Sequence, residues 1–277
     1  MAIIQCNFFS KSLMRTVPIN VVLPTDKMVF PGQPQPQEKP FKTLYLLHGI
    51  FGNYTDWICG TRLASWAQDR NLCVVMPSGD NSFYVDNRKT SALYGSFIAK
   101  DLIEFTRRSF PLSRKREDTF IGGLSMGGFG ATVNGLRFHE TFSHIVALSA
   151  AYIIDTIPVN YKEYTDNVFT NRGYVEAIFG DPDKVKGSDF DYDVLAKRAA
   201  DAGDRPRVFI ACGTEDQLIH PSREFRDRLK ALDYDVTWQE GPGGHDWKFW
   251  DEYILRAMDW LPLGDATQGV SSGHIGE

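Results

Sequence analysis

Apolar runs and helical patterns alternate along most of this chain. "TLYLLHG", "LCVVMPSG" and "DTFIGGLS" are continuous apolar runs of strand length, which is typical of strands buried on both faces of a sheet. "YGSFIAKDLIEFTRRSF", which lies between the second and third runs, has apolar residues at helical spacing. Because strands alternating with helices indicate βαβ crossovers, we predict an α/β fold with a mainly parallel sheet and helices on both faces.

The same alternation continues to the C-terminal part of the chain. "FSHIVALSAA", "PRVFIACGTED" and "VTWQEGP" are predicted strands, and "SREFRDRLKALD" and "WKFWDEYILRAMDWL" are predicted helices. The first twenty-odd residues alternate apolar and polar positions, as an antiparallel edge hairpin does. The Pro- and Gln-rich stretch after that hairpin, 25–42, is predicted to be a surface loop.

Two segments depart from the pattern. Residues 151–202 are rich in Tyr, Phe, Asp and Gly and contain only short helical pieces, so we expect an insertion over the sheet. Two interpretations of this insertion stay open: a cap that walls a pocket, or a solvated connection. Residues 263–277 are small and polar and predict a flexible tail. The organisation expected is one domain over 1–262.

Composition and charge narrow the class of function. The 277 residues are 43% hydrophobic and carry a formal net charge of −5, with no dense basic run, so a nucleic-acid partner is not expected. No segment has the ~20 apolar residues of a membrane span, and the N-terminus does not resemble a signal peptide, which predicts a cytoplasmic protein without membrane contact. The four cysteines have no C-x-x-C spacing, so neither a metal site nor a disulfide framework is expected.

A glycine-framed serine is the first candidate for chemistry. Residues 123–127, "GLSMG", match the pattern G-x-S-x-G, with a predicted strand before Ser125 and a predicted helix after it. That context favours a nucleophile elbow over a glycine-rich turn with an incidental serine. Because a serine hydroxyl is a weak nucleophile without a base, partners must exist elsewhere in the chain.

An acid and a histidine follow in the chain order that such an elbow requires. His245 lies in "EGPGGHDWKFW", a glycine-rich loop between the last strand and the last helix, and is the candidate general base. Glu215 and Asp216 both come directly after a predicted strand, where parallel sheets place their ligand-side groups. Either carboxylate could orient the imidazole.

The oxyanion formed on acyl attack needs two backbone N–H donors. The amide of Met126, directly after the nucleophile, is one candidate. The second is the amide of Ile50 in "LYLLHGIFGNYTDW", just past an early strand.

Taken together, "LYLLHGIFGNYTDW", "MPSGDNSFYVD", "IGGLSMGGFGA", "CGTEDQLI" and "GGHDWKFWDEYI" resemble the esterase D-like group of α/β hydrolases, and most of all its tributyrin and cinnamoyl/feruloyl esterase branch. The likeness extends over about 1–261. It implies the α/β-hydrolase fold and a triad of Ser125, His245 and Asp216, rather than Glu215, with the amides of Ile50 and Met126 as the oxyanion hole.

The resemblance also implies an activity. We expect a serine carboxylesterase that acts on esters of short-chain or small aromatic acids, with a small-molecule ester as partner and neither metal nor organic cofactor. Acetylxylan esterase, S-formylglutathione hydrolase and acyltransferase activities are the alternatives; "HGI", where the S-formylglutathione hydrolases typically have "SGL", disfavours the glutathione thioester. Self-association is left open. The aromatic residues expected to line the substrate pocket, for each of which core packing is the alternative, are Trp57, Phe83, Tyr84 and Trp247.

Overall fold

An eight-stranded sheet organises the computed structural model, which describes residues 2–28, 31, 39–167 and 170–264. The strands are β1 (Ala2–Ser10), β2 (Arg15–Leu23), β3 (Lys42–Leu47), β4 (Leu72–Pro77), β5 (Asp86–Asn87), β6 (Ala92–Leu93), β7 (Thr119–Leu124), β8 (His144–Leu148), β9 (Arg207–Gly213) and β10 (Val236–Gly241). The large sheet has the order β1-β2-β4-β3-β7-β8-β9-β10, and β5 pairs with β6 apart from it.

Helices connect these strands. They are α1 (Asp56–Gly60), α2 (Leu63–Asp69), α3 (Tyr94–Ser96), α4 (Ile103–Ser109), α5 (Met126–Arg137), α6 (Ile157–Asn160), α7 (Arg172–Phe179), α8 (Tyr192–Asp201), α9 (Ile219–Ala231) and α10 (Trp247–Trp260). The predicted helix over 94–110 is present, but its middle, Phe97–Leu102, winds as a π-helix between α3 and α4. None of the helices in the described part of the chain combines the length and apolar character that a bilayer-spanning helix requires.

The sheet has the α/β-hydrolase arrangement. The six strands from β4 and β3 through to β10 are parallel to one another, and β1 and β2 form an antiparallel hairpin at one edge, where β2 pairs antiparallel with β4. The predicted parallel sheet and edge hairpin are therefore confirmed. Because the parallel strands all end at one edge of the sheet, the loops after β3, β7 and β9 meet there.

Successive residues of β3 face opposite sides of the sheet and belong to two separate cores. Tyr45 and Leu47 lie in the core that includes α5 and the π-helical segment. Leu44 and Leu46 lie in the core beneath α2 and α10. This period of two in a completely buried strand explains why the sequence shows a continuous apolar run rather than an alternation.

The segment between β8 and β9 contains α6, α7 and α8. Its inner side is packed on the domain: Tyr192 at the start of α8 is buried, with its ring 6.0 Å from that of Phe129 in α5. Arg228 of α9 lies 3.2 Å from Asp155 and 3.1 Å from Asp193, so ion pairs also bind the segment to α9. Both interpretations of this insertion, a cap that walls a pocket and a solvated connection, stay predictions. The predicted tail from residue 265 onward, and most of the loop over 29–38, lie outside the described residues.

We predict that His144 makes the fold acid-sensitive. Burial, reinforced by Arg207 and Arg116, lowers the pKa of this imidazole from 6.5 to about 4, and its buried Nε2 atom has no hydrogen-bond partner among the described residues. Between these two values the unfolded chain takes up a proton that the folded chain does not. The free energy of unfolding should therefore fall as the pH decreases from about 6.5 to about 4.

Urea unfolding at several pH values measures this dependence. His144→Gln should flatten the fall over that window, whereas His220→Gln, which removes an exposed imidazole, serves as the control. An unchanged pH dependence in His144→Gln would contradict the assignment.

Candidate active site

Ser125 occupies a sharp turn between β7 and α5. Its φ of 52° lies in the left-handed region, which is strained for a residue with a side chain. Three backbone hydrogen bonds hold the turn: the N–H donates to Leu148 O (2.9 Å), and the carbonyl accepts from the amides of Phe129 and Ala151 (3.0 Å each). The conformation directs the serine hydroxyl out at the carboxyl edge of the sheet, as expected of a nucleophile elbow.

The framing glycines permit this turn because backbone atoms crowd them. A Cβ on Gly127 would lie 2.5 Å from the carbonyl oxygen of His48 and nearer still to that of Leu47. A Cβ on Gly123 would lie 2.5 Å from the carbonyl carbon of Gly127. Only glycine lets the first turn of α5 approach the end of β3 so closely.

The structure brings Ser125, His245 and Asp216 into one hydrogen-bonded row. His245 Nε2 lies 2.9 Å from Ser125 Oγ, and His245 Nδ1 lies 2.8 Å from Asp216 Oδ2. Because a carboxylate only accepts, the imidazole donates through Nδ1 and its Nε2 is left to accept the serine proton. The Asp216 side chain is fully buried, while the His245 side chain is 29% exposed, so the imidazole is open to a ligand and the carboxylate is not.

The two neighbouring carboxylates have different partners. Burial alone would raise the pKa of Asp216, but hydrogen bonds from His245 and from the N–H of Leu218 (2.9 Å) outweigh it and hold the pKa below its usual value. Glu215 is exposed and accepts from the hydroxyl of Thr214 (2.9 Å) and the N–H of Gly243. Glu215 therefore supports the loop before His245, and only Asp216 contacts the imidazole.

Sequence reasoning missed two residues behind this row. The Trp250 ring stands edge-on to the His245 ring, with centroids 5.0 Å apart, and its Nε1–H donates to Ser149 Oγ (3.2 Å). Ser149 is buried, has a φ of 44°, and its hydroxyl also helps to hold the pKa of Asp216 down. Its place directly after β8, at the same sheet edge as Ser125, is the signal that could have identified it.

The two predicted oxyanion amides lie in segments that adjoin Ser125. Met126 is the first residue of α5, so its N–H has no acceptor within the helix. The loop after β3 passes against Ser125, since a Cβ on Gly49 would lie 3.6 Å from the Ser125 Cβ atom. Ile50 follows in that loop.

Two of the aromatic residues predicted to contact substrate are core residues instead. Trp57 is 1% exposed and donates through Nε1 to Leu47 O (3.0 Å), and Tyr84 is fully buried and donates through its hydroxyl to His48 O (3.0 Å). Each ring can be buried together with its polar group, because the indole N–H or the phenol hydroxyl donates to a carbonyl oxygen at the end of β3. They support the loop after this strand and present no surface to a ligand.

The other two predicted pocket residues also pack against aromatic neighbours. Phe83 is 7% exposed, with its ring 5.5 Å from that of Phe129 and 5.2 Å from that of Phe179. Trp247 is half-buried between Trp57 (5.4 Å) and Trp250 (5.3 Å). Of the four, only Trp247 keeps appreciable surface.

Comparison with known proteins shows the family of this chain. The model of the family described as "Putative esterase" matches residues 10–261, nearly the whole chain. The chain belongs to this esterase family. It is a serine esterase, a carboxylic-ester hydrolase with the α/β-hydrolase fold. Among the described residues of the esterase, no group of three or more His, Cys, Asp or Glu side chains could hold a metal ion.

Individual relatives are similar over almost their full length. An acetyl esterase of Caldicellulosiruptor saccharolyticus is 44% identical over 94% of this chain and 98% of the relative. The substrate-bound structure of FphF, a fluorophosphonate-binding serine hydrolase of Staphylococcus aureus, has a TM-score of 0.81 and 32% identity over 95% and 99% of the two chains. An S-formylglutathione hydrolase, FrmB from Staphylococcus aureus, has a TM-score of 0.79 and 32% identity over 94% and 98%.

We expect Gly127→Ala to impair catalysis more than folding. The added methyl group must displace the backbone of the loop after β3, and a shift of about 1 Å near the reacting atoms costs about 100-fold in rate. The measurement is kcat/KM on p-nitrophenyl acetate together with urea unfolding.

The matched control lies on the same helix. In Gly135→Ala the nearest atoms to the new methyl group belong to the side chains of Ile145 and Ile121 and not to backbone, so we expect a stability loss of about 1–3 kcal/mol with little change in kcat/KM. Equal kinetic losses in the two variants would contradict a specific effect at the elbow.

Proposed function

We propose that this esterase hydrolyses esters of short-chain acids, acetyl esters first, with Ser125 as nucleophile, His245 as general base and Asp216 as its orienting carboxylate. The supporting observation is the hydrogen-bonded row from Ser125 Oγ through both imidazole nitrogens to Asp216. A row of this kind prepares a serine for acyl transfer through an acyl-enzyme.

Acylation follows from the geometry. As Ser125 Oγ attacks the ester carbonyl carbon, its proton moves to His245 Nε2, and the negative charge develops on the carbonyl oxygen. Asp216 stabilises the imidazolium through Nδ1–H without taking the proton. The amides of Ile50 and Met126 stabilise the oxyanion. The imidazolium then protonates the leaving alkoxy oxygen, the C–O bond breaks, and the alcohol departs.

Deacylation repeats the sequence with water. His245 Nε2 takes a proton from water as its oxygen attacks the acyl carbon, and the second tetrahedral intermediate uses the same two amides. The proton returns from His245 to Ser125 Oγ as the acid leaves. Each turnover consumes one ester and one water and needs no cofactor.

The relatives guide the choice of acyl group. The 44% identical relative carries the name acetyl esterase, which supports acetyl esters as substrates. The second candidate is the thioester S-formylglutathione, supported by the likeness to FrmB. Both acyl groups are small. Feruloyl and cinnamoyl esters and acetylxylan oligomers, together with transfer to an added alcohol, complete the set of activities to be compared.

Ser125→Ala should abolish turnover of every ester that the wild type hydrolyses, with a loss of at least about 10⁴-fold. The panel is p-nitrophenyl acetate to octanoate, acetylxylan oligomers, methyl ferulate and S-formylglutathione, with product analysis in the presence of an alcohol acceptor. Residual turnover in the variant close to that of the wild type would sink the assignment. Highest kcat/KM on S-formylglutathione would select the thioester instead.

Asp216→Asn and Glu215→Gln form a matched pair of neighbouring carboxylate-to-amide changes. Asp216→Asn should lower kcat by about 10³–10⁴-fold, because the imidazole loses the acceptor that selects its tautomer. Glu215→Gln keeps an acceptor for the Gly243 amide and should lower kcat by less than about tenfold. Similar losses in both would show that the assignment of the acid is wrong.

A further inference from the structure

The loop after β3 is tied to the loop after β4 on both sides of Ile50. Before Ile50, the Nε2 atom of His48 accepts a hydrogen bond from the N–H of Gly79 (2.8 Å). After it, the N–H of Phe51 donates to the side-chain oxygen of Asn81 (2.8 Å). The candidate oxyanion amide therefore lies between two fixed points.

The hydrogen bonds of His48 define the tautomer of its ring. Because Nε2 accepts from a backbone N–H, it carries no proton, and in the neutral imidazole the proton is on Nδ1. Nδ1 lies 2.7 Å from the carbonyl oxygen of Gly49 and donates to it. The ring is 1% exposed, and this burial lowers the pKa of His48, which keeps the imidazole neutral.

The direction of the Gly49 carbonyl decides the direction of the next amide. No peptide bond in the described chain is cis, so the oxygen of Gly49 and the N–H of Ile50 point in opposite directions from one planar unit. The carbonyl is held by Nδ1–H of His48 and by the N–H of Gly52 (3.3 Å). Turning the amide away would require the loss of both hydrogen bonds.

The backbone of His48 is itself immobilised. Its carbonyl accepts from the hydroxyl of Tyr84 (3.0 Å), and the Tyr84 ring stands edge-on to the imidazole with centroids 5.7 Å apart. The first turn of α5 also packs against the His48 carbonyl group, at Gly127. The imidazole is therefore attached to a rigid part of the backbone. Such rigidity is needed because an oxyanion donor must be in position before the reaction begins.

We propose that His48 is a positioning residue, which through Nδ1–H holds the Gly49–Ile50 peptide so that the Ile50 amide is directed at the oxyanion. The role rests on the proposed function, since it presumes that the Ile50 amide is a donor. His48 acts through this peptide and does not contact the substrate. It stabilises the tetrahedral states of the reaction, in which the oxyanion exists, and does not strengthen the binding of the neutral ester.

The test compares two side chains of equal size. His48→Asn keeps an N–H donor near the position of Nδ1, and His48→Leu has the same number of side-chain heavy atoms without a donor; both lose the imidazole acceptor for the Gly79 amide. We expect His48→Leu to lower kcat by about 10–100-fold with KM within about twofold, and His48→Asn to recover most of the loss. The assay is hydrolysis of p-nitrophenyl acetate.

A second measurement separates positioning from general structural damage. An aryl-alkyl trifluoromethyl ketone adds to the serine and forms a stable oxyanion, so its inhibition constant should rise in His48→Leu by the same factor as kcat falls. His144→Gln, which alters a buried imidazole at the opposite end of the sheet, should change neither quantity. Circular dichroism checks that each variant is folded.

Each result has one meaning. Equal kcat in folded His48→Leu and His48→Asn, or a loss of kcat without weaker ketone binding, overturns the role of His48. If His48→Leu does not fold, the isosteric pair His48→Asn and His48→Asp replaces it, with the Asp variant as the one that lacks the donor. Activity that survives Ser125→Ala would instead overturn the proposed function, so the two failures are distinguishable.

Discussion

The active centre depends on the close approach between the first turn of α5 and the end of β3. The carbonyl oxygens of Leu47 and His48 occupy the space in which a side chain at position 127 would lie. This contact fixes Ser125 at a φ of 52° and brings the loop after β3 against the Ser125 side chain. One backbone constraint thus sets both the direction of the serine hydroxyl and the location of the candidate oxyanion donors.

The same close approach buries carbonyl groups at the end of β3, which then need hydrogen-bond donors. Carbonyl groups at the end of a buried strand have lost their water and must be satisfied from inside the protein. Trp57 and Tyr84 supply the donors to Leu47 and His48, which is why these large aromatic rings are buried next to the site instead of lining it. These two hydrogen bonds hold the end of β3 and the start of the loop that contains Ile50.

The neighbouring carboxylates of Glu215 and Asp216 differ in their hydrogen-bond partners. Asp216 faces inward, where His245 and the Leu218 amide surround its carboxylate, and Glu215 faces outward and braces the glycine-rich loop. Behind them, Trp250 joins the imidazole to Ser149. The positions of Asp216 and His245 thus depend on groups in the segments that follow β8 and β9 and on Trp250 of α10.

The sequence by itself determined the parallel sheet, the edge hairpin, the elbow at Ser125 and the order serine, acid, histidine. These features follow from hydrophobic periodicity and from local motifs, which depend on neighbouring residues. Only the tertiary structure decided that Trp57 and Tyr84 are core residues and that Ser149 and His48 have polar partners at the site. It also placed Asp216, which the family resemblance favours over Glu215, against the imidazole. Such outcomes depend on the direction of each side chain and on contacts between distant segments, since 120 positions separate Ser125 from His245, and no local pattern encodes them.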